Sequence, residues 1–337
     1  MSIHVDDFLV VSTQKHMVTQ LHEELISAYG KVTIKTGDTL AYLGMHIHTL
    51  KSGKVVLHQP GYLEHLLQLH LIGYSEPGYV LKPISSPMSV LTEVSPSERG
   101  TGNHPVDQRA YLEIVGGINY LSQYTRPDVL YVMSIAAQRC SAPTQADMAL
   151  LQRILRYLAS TPEVGLTFSP GPITLYCSVD ASHNCYQDGK GHYGYSFSLG
   201  PHDGAFFACS KKLKLVTLSS TESEYVALCE ATRDTIWLRR LLSDLGFPQA
   251  EPTVVYQDNK STIDFVAGHR NHKSTKHINP KFHFTGEAVD NGEIRLVHMS
   301  TVDMVADVLT KALPRSHHLR LASALVNHQI VTAAQAA

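Results

Sequence analysis

From Ile173 onward the chain changes rhythm, and that change limits what it can build. Ile173, Leu175, Cys177 and Val179 alternate with Thr174, Tyr176, Ser178 and Asp180. Tyr193, Tyr195, Phe197 and Leu199 repeat the pattern, and 205–209 forms a third short run. A period of two sends successive side chains to opposite faces of a strand, so the spacing predicts a three-stranded meander. Residues 219–245 then read as one long helix, stopped by Gly246 with Pro248 just beyond. A strand at 253–257, a short helix to Ala267, a helix from Pro280, a strand at 293–299 and a helix at 302–313 complete the run. Three strands followed by helix, strand, helix, strand, helix predict a mixed five-stranded sheet with helices on its faces. That is an α/β (α+β) unit over 171–315.

The upstream part reads differently. Ile3-His4-Val5-Asp6-Asp7-Phe8-Leu9-Val10-Val11 gives strand, acidic turn, strand. A helix follows at 14–29. Tyr42-Leu43-Gly44-Met45-His46-Ile47-His48 then pairs with Val55-Val56-Leu57-His58 through the turn Lys51-Ser52-Gly53-Lys54. Residues 74–108 are rich in Pro, Ser and Gly and read as a linker. Helices are expected at 109–124, 126–139 and 146–160. In the last, Leu150, Leu151, Ile154, Leu155 and Leu158 recur at helical spacing. The 316–337 segment is left as a C-terminal tail. A domain seldom begins inside a hairpin, so the opening reads as the later part of a larger fold.

Bulk properties exclude several classes. With 337 residues, 43% hydrophobic and 17% charged, the chain can form a core in two ordinary domains. The formal net charge of −2 gives no whole-chain signal for nucleic acid, so any such surface must come from local clustering. Cys140, Cys177, Cys185, Cys209 and Cys229 contain no Cys-x-x-Cys pair and are odd in number, which disfavours a zinc or disulfide framework. Reduced thiols fit an intracellular compartment. The 20 histidines are scattered and read as ordinary surface or core residues. The first residues show no basic region followed by an apolar run, and no stretch approaches the ~20 apolar residues of a membrane span. Trp237 is expected in the core.

Four acids fall at telling places on the predicted sheet. Asp180 ends the first strand, Glu224 lies in the first turns of the long helix, Asp258 ends the fourth strand and Asp307 lies in the final helix. Open mixed sheets gather their sites at the carboxyl ends of strands. Four converging carboxylates cannot all stay ionised without a cation, and hard oxygen donors favour Mg²⁺ or Mn²⁺. Two such ions can clamp a phosphodiester. Taken singly, each acid is weak evidence, since a surface Asp at a strand end is more often a turn residue. Glu222 is set apart from Glu224: Ser219-Ser220-Thr221-Glu222 has capping-box spacing, with Glu222 reaching back to the Ser219 amide. Glu224 is therefore the expected ligand.

Several segments resemble one family. Leu218-Ser219-Ser220-Thr221-Glu222-Ser223-Glu224-Tyr225-Val226-Ala227-Leu228 is similar to the signature of Ty1/copia-type RNase H. So are Ser178-Val179-Asp180-Ala181-Ser182, Tyr256-Gln257-Asp258-Asn259-Lys260-Ser261 and Ala306-Asp307-Val308-Leu309-Thr310-Lys311. The resemblance implies an RNase H-like fold and Asp180, Glu224, Asp258 and Asp307 as ligands of two Mg²⁺ or Mn²⁺ ions. It also implies cleavage of the RNA strand of an RNA/DNA hybrid. Ser274-Thr275-Lys276-His277-Ile278-Asn279-Pro280-Lys281-Phe282-His283-Phe284 also resembles the family, departing from it at Asn279-Pro280, where Asn suits an N-cap and Pro the first helical position. Gly286 within that helix costs roughly 1 kcal/mol against Ala.

Basic residues cluster where a hybrid could lie: Lys211 and Lys212 before the long helix, then Lys260, Lys273, Lys276, His277 and Lys281. Phosphate contacts would give salt-dependent affinity, and 2′-hydroxyls would mark the RNA strand. Val5-Asp6-Asp7 resembles the Tyr-Val-Asp-Asp motif of a reverse transcriptase palm, with His4 replacing the tyrosine. Tyr42-Leu43-Gly44 and His58-Gln59-Pro60-Gly61-Tyr62-Leu63 resemble the hairpin and thumb that follow, making 1–73 a palm and thumb remnant. Tyr111-Leu112-Glu113-Ile114-Val115-Gly116-Gly117, Thr125-Arg126-Pro127-Asp128 and Arg153-Ile154-Leu155-Arg156-Tyr157-Leu158 resemble the helical connection, placed at 109–170. Asp6 and Asp7 alone cannot assemble a polymerase site, which needs a further upstream aspartate. The expected partners are an RNA/DNA hybrid and the remainder of a retrotransposon Pol protein, with no membrane. The expected location is the cytoplasm, a virus-like particle or the nucleus. The alternative is an inactive relic that at most binds nucleic acid.

Overall fold

The computed structural model describes residues 1–88, 106–268 and 281–328. At the N-terminal end β1 (Ser2–His4) and β2 (Asp7–Leu9) form a separate hairpin. α1 (Lys15–Tyr29) follows with none of its residues buried. The hairpin expected from 42–48 and 55–58 is the pair β4 (Met45–Thr49) and β5 (Val55–His58), but Leu43-Gly44 is a turn that brings in a further strand, β3 (Thr39–Tyr42), and β6 (Leu166–Phe168), from far along the chain, pairs with β5.

Four helices then share one core: α2 (Pro60–His70), α3 (Gln108–Tyr124), α4 (Leu130–Ala137) and α5 (Gln145–Ala159). Leu63, Leu67, Ile118, Val132, Leu151 and Leu155 meet there. Side chains start two of these helices. Asp107 accepts from the Arg109 amide at 2.9 Å, and Thr144 and Asp147 exchange the two bonds of a capping box. Gly117 lets α3 close on α2, since a Cβ there would stand 2.4 Å from Leu66 Cδ1. The expected boundary between thumb remnant and helical connection therefore runs through a single packed body. Of the expected linker 74–108, the described residues 74–88 form no helix or strand but do pack: the Ile84 amide donates to Ser160 Oγ (3.0 Å) and Arg153 donates to the Ser86 carbonyl (3.2 Å). Residues 89–105 lie outside the described residues.

The alternating region forms the second body. It comprises β7 (Tyr176–Ser182), β8 (Lys190–Ser198), β9 (Phe207–Val216), α6 (Ser220–Asp244), β10 (Thr253–Gln257), α7 (Lys260–Gly268), α8 (Lys281–Asp290) and β11 (Ile294–His298). The strand order is β11-β10-β7-β8-β9. β7, β8 and β9 are antiparallel neighbours, while β10 runs parallel to both β7 and β11. This is the expected RNase H-like mixed sheet. One face packs on α6 through Leu228, Ala231 and Leu238. α6 ends in a Schellman turn: Phe247 N–H reaches the Leu242 carbonyl (2.7 Å), and Gly246 sits at φ 89°.

Four expectations are corrected. β9 is ten residues long rather than the 205–209 run, because interleaved lysines hide its alternation. The final helix at 302–313 is instead two 3-10 turns, Thr301–Asp303 and Val305–Leu309. The second lies so flat on β8 that a Cβ on Gly194 would fall 2.5 Å from Leu309 Cβ. The 316–337 segment is not a tail: α9 (Arg315–Val326) buries Leu321, Ala322, Leu325 and Val326 against Leu130, Leu166 and Leu309. Trp237 is 53% exposed rather than in the core. The sheet-facing stripe of α6 passes through Ala231, Thr235, Leu238 and Leu242, and Trp237 falls off it.

Candidate active site

Three elements carry acids to one point. Asp180 lies on β7, which continues to Ser182 instead of ending at the acid. Glu224 projects from the first turns of α6, and Asp258 directly follows β10. One carboxylate oxygen from each lies within 4.8 Å of the other two. Parallel pairing of β7 with β10 sets the two strand ends side by side, and α6 crosses above them. Asp180 and Glu224 are buried, at 2% and 5% exposure.

The surroundings hold these groups in place. Gln257, fully buried, donates from Nε2 to Glu224 Oε2 at 3.3 Å. Thr301 Oγ1 donates to Asp258 Oδ2 at 2.8 Å. Thr310 Oγ1 donates to Asp180 Oδ2. Burial pushes the Glu224 carboxyl well above the usual range, and Asp180 and Asp258 add to the rise. A buried acid that resists ionisation through burial first and two facing acids second is what a carboxylate cluster should show before a cation joins it.

Asp307 stands beside this trio, on the 3-10 turn that lies over β8. Asp180 pairs across the ladder with Gly194, the residue whose missing side chain admits that turn. Burial and then Asp180 raise Asp307 to about 7, against the opposing Lys311. Lys311 Nζ lies 2.9 Å from Asp307 and 3.5 Å from Asp180. Burial alone would lower the Lys311 ammonium; Asp180 and then Asp307 outweigh it and raise it instead. Thr310 and Lys311 belong to a motif read from the sequence, but their contacts with Asp180 carry no sequence signal of their own.

Glu222 does what its spacing suggests, with one change. Ser219 Oγ accepts from the Glu222 amide (3.1 Å), but Glu222 Oε2 accepts from Leu218 N–H (2.6 Å), one residue before the expected amide.

The basic residues divide. Lys260 is exposed at the start of α7, two residues after Asp258. Lys211 and Lys212 lie on the edge strand β9, two strands from β7, and as neighbours in a strand they project to opposite faces. Lys212 is engaged by Asp188 (2.9 Å) and stands 4.4 Å over the Tyr186 ring. Lys273, Lys276 and His277 lie outside the described residues, as does the side chain of Lys281. Asp6 and Asp7 sit in the exposed β1–β2 hairpin, and no third acid joins them among the described residues.

A carboxylate trio with a fourth acid alongside offers hard oxygen donors only, which suits Mg²⁺ or Mn²⁺. The residues present therefore fit such ions.

No family model matches the chain. Among curated proteins it is 32% identical over 329 residues to the retrovirus-related Pol polyprotein from transposon RE1 of Arabidopsis thaliana, covering 96% of this chain and 21% of that protein. It is 31% identical over 319 residues to the retrovirus-related Pol polyprotein from transposon TNT 1-94 of Nicotiana tabacum, covering 93% of this chain and 23% of that protein. The chain thus spans about a fifth of the length of these relatives. Among solved structures, LC11-RNase H1 in complex with RNA/DNA hybrid is 14% identical, covering 41% of this chain and 94% of that one, with a TM-score of 0.31.

Proposed function

This chain belongs to the Pol polyprotein family of copia-type retrotransposons, and from that premise we propose that its RNase H-like domain hydrolyses the RNA strand of RNA/DNA hybrids with the help of two divalent cations. The observation that carries the reading is the meeting of Asp180, Glu224 and Asp258 within 4.8 Å, brought from three separate elements.

Asp180, Glu224 and Asp258 would hold one Mg²⁺ or Mn²⁺, and Asp180 with Asp307 a second. Such ions supply an activated water and charge stabilisation for the departing oxygen. The chain's own part is to orient the acids and keep them from relaxing apart. Gln257 fixes Glu224, Thr301 fixes Asp258 and Thr310 fixes Asp180. Water adds to phosphorus, the bond to the 3′-oxygen breaks, and the products are a 5′-phosphate and a 3′-hydroxyl. Lys260, exposed two residues after Asp258, is proposed to meet a backbone phosphate. Lys273, Lys276, His277 and Lys281 are proposed to extend that contact, with Lys211 and Lys212 outlying. The remainder of a Pol protein is the proposed partner, in the cytoplasm, a virus-like particle or the nucleus.

The test is incubation of the purified chain with strand-labelled hybrid and Mg²⁺. RNA-strand cleavage that disappears in Asp180→Asn is expected. No cleavage, or equal cleavage by Asp180→Asn, would reject the reading. Salt-sensitive retention of the hybrid without cleavage would point to a nucleic-acid-binding relic instead.

A further inference from the structure

The motif Ala306-Asp307-Val308-Leu309-Thr310-Lys311 brings a cation as well as a carboxylate. Lys311 Nζ lies 2.9 Å from Asp307 Oδ1 and 3.5 Å from Asp180 Oδ2, so one ammonium bridges the fourth acid and the acid it would share with the trio. Asp180 and Asp307 are each 2% exposed, whereas the Lys311 side chain is 31% exposed and has a way out to solvent. Among the described residues Glu224 and Asp258 have no ion pair of this kind.

We propose that Lys311 is a built-in counter-cation of the Asp180–Asp307 position that competes with a divalent ion for it, so that the two ions load with unequal affinity. The proposal rests on the two-cation reading above and adds an order to it. A divalent ion entering between Asp180, Glu224 and Asp258 meets three carboxylates and disturbs only the longer of the two Lys311 contacts, the 3.5 Å one to Asp180. An ion entering beside Asp307 must break two short charged contacts and send the ammonium to water or to a substrate phosphate. Two buried carboxylates left together would repel. Lysine relieves that repulsion with a single charge on a flexible stem, which can withdraw as a doubly charged ion arrives. The i, i+4 spacing from Asp307 to Lys311 brings both groups to one side of the turn.

The test is Mn²⁺ binding to the full chain without hybrid, counted by the paramagnetic resonance of free Mn²⁺ and by calorimetry. The unmodified chain should bind one ion clearly more tightly than the next. Lys311→Met should tighten the weaker constant by about tenfold, within the ~5–150-fold usual for coupled sites, and leave the tighter one in place. Lys311→Arg, which keeps the charge, should leave both constants near their original values. A weaker constant that is unmoved or loosened in Lys311→Met overturns the proposal while the metal centre stands. An unmodified chain that binds no Mn²⁺ overturns this proposal and the function together. Thermal melts report whether each variant is folded, and Lys311→Gln gives the same reading should the methionine fail to fold.

Discussion

Glu224 pays for its position in the fold. Buried and facing Asp180 and Asp258, its carboxyl is pushed well above the normal range, so its charged form costs stability whenever no cation is present. Glu224→Gln keeps the shape and removes the charge. In the presence of a chelator it should therefore melt higher than the unmodified chain, by roughly 0.5–2 kcal/mol, the usual yield of relieving a functional site. Its cleavage of hybrid should fall by about 10³-fold or more, since losing a cation ligand removes several kcal/mol of transition-state stabilisation. Glu222→Ala is the opposite case. It should lose about 1 kcal/mol of helix capping and retain cleavage. Melting in chelator and hybrid cleavage, measured on both variants, separate the two glutamates. If Glu224→Gln melts lower and still cleaves, the roles are misassigned.

Among the elements, the join between α3 and α4 hides a charged knot that ties it to the end of α5. Arg126 forks onto Asp128 through Nε (3.0 Å) and Nη2 (2.9 Å) and donates from Nη1 to the Thr161 carbonyl (3.0 Å). Tyr157 Oη donates to Asp128 Oδ2 at 2.7 Å. Arg126 and Asp128 are both almost fully buried. Removing one partner strands the other, so Arg126→Met should cost about 3–5 kcal/mol, read as a denaturant midpoint shift. Replacing both, as Arg126→Met with Asp128→Leu, should recover much of that loss. A double variant as unstable as the single one would contradict this. The knot also shows where sequence reading stops. Thr125-Arg126-Pro127-Asp128 stands out as a motif, but nothing in it reveals that Thr161 and Tyr157 complete it. The strands β7 and β8 were legible because residue type alternates along them, with Cys177, Val179, Tyr193, Tyr195 and Phe197 in the α6 core, even though β8 is buried on both faces from Gly191 to Phe197. β9 was not, because Lys211, Lys212 and Lys214 break the pattern while the backbone still pairs. Asp180, Glu224 and Asp258 were legible as acids at strand ends and a helix start. Lys311 was not, because its contacts depend on a turn laid flat on the sheet through the gap at Gly194. α9 was missed because its stripe of Leu321, Ala322, Leu325 and Val326 is short and needs a surface from three distant segments.

Across the whole molecule, the helical body and the sheet are stitched by buried polar contacts. His192 on β8 meets Tyr186 Oη through Nδ1 (2.8 Å) and Ser210 Oγ through Nε2 (2.8 Å), with the Tyr131 ring of α4 edge-on at 5.0 Å. His318 on α9 lies against Tyr157 of α5, with ring centroids 5.7 Å apart. Ending the chain at Leu313 would remove α9 and uncover Val308 and Leu309 next to Asp307. Hybrid cleavage should then fall together with the melting temperature, which separates this loss from that of Glu224→Gln. Burial lowers His192 to about 3. Burial lowers His318 to about 4, with Asp128 opposing. Once unfolded, both titrate near the ordinary value of about 6.5. Between those values these two imidazoles bind more protons in the unfolded chain than in the folded one, so their contribution to stability is complete above about pH 6.5 and drains away as the pH falls toward about 4 and 3. From pH 7 to pH 5 each histidine should cost about 2 kcal/mol. Both sit where the two bodies meet, so the loss should appear as one cooperative transition of the chain and not as fraying of one part. Asp307, raised to about 7, and Glu224 act in the opposite sense over the same range, so the histidine share is read as a difference between variants. Denaturant melts at pH 7, 6 and 5 measure it, and His192→Gln should lose about 2 kcal/mol less than the unmodified chain between pH 7 and pH 5. A variant with the same pH dependence as the unmodified chain would mean that this imidazole reaches water before the fold opens.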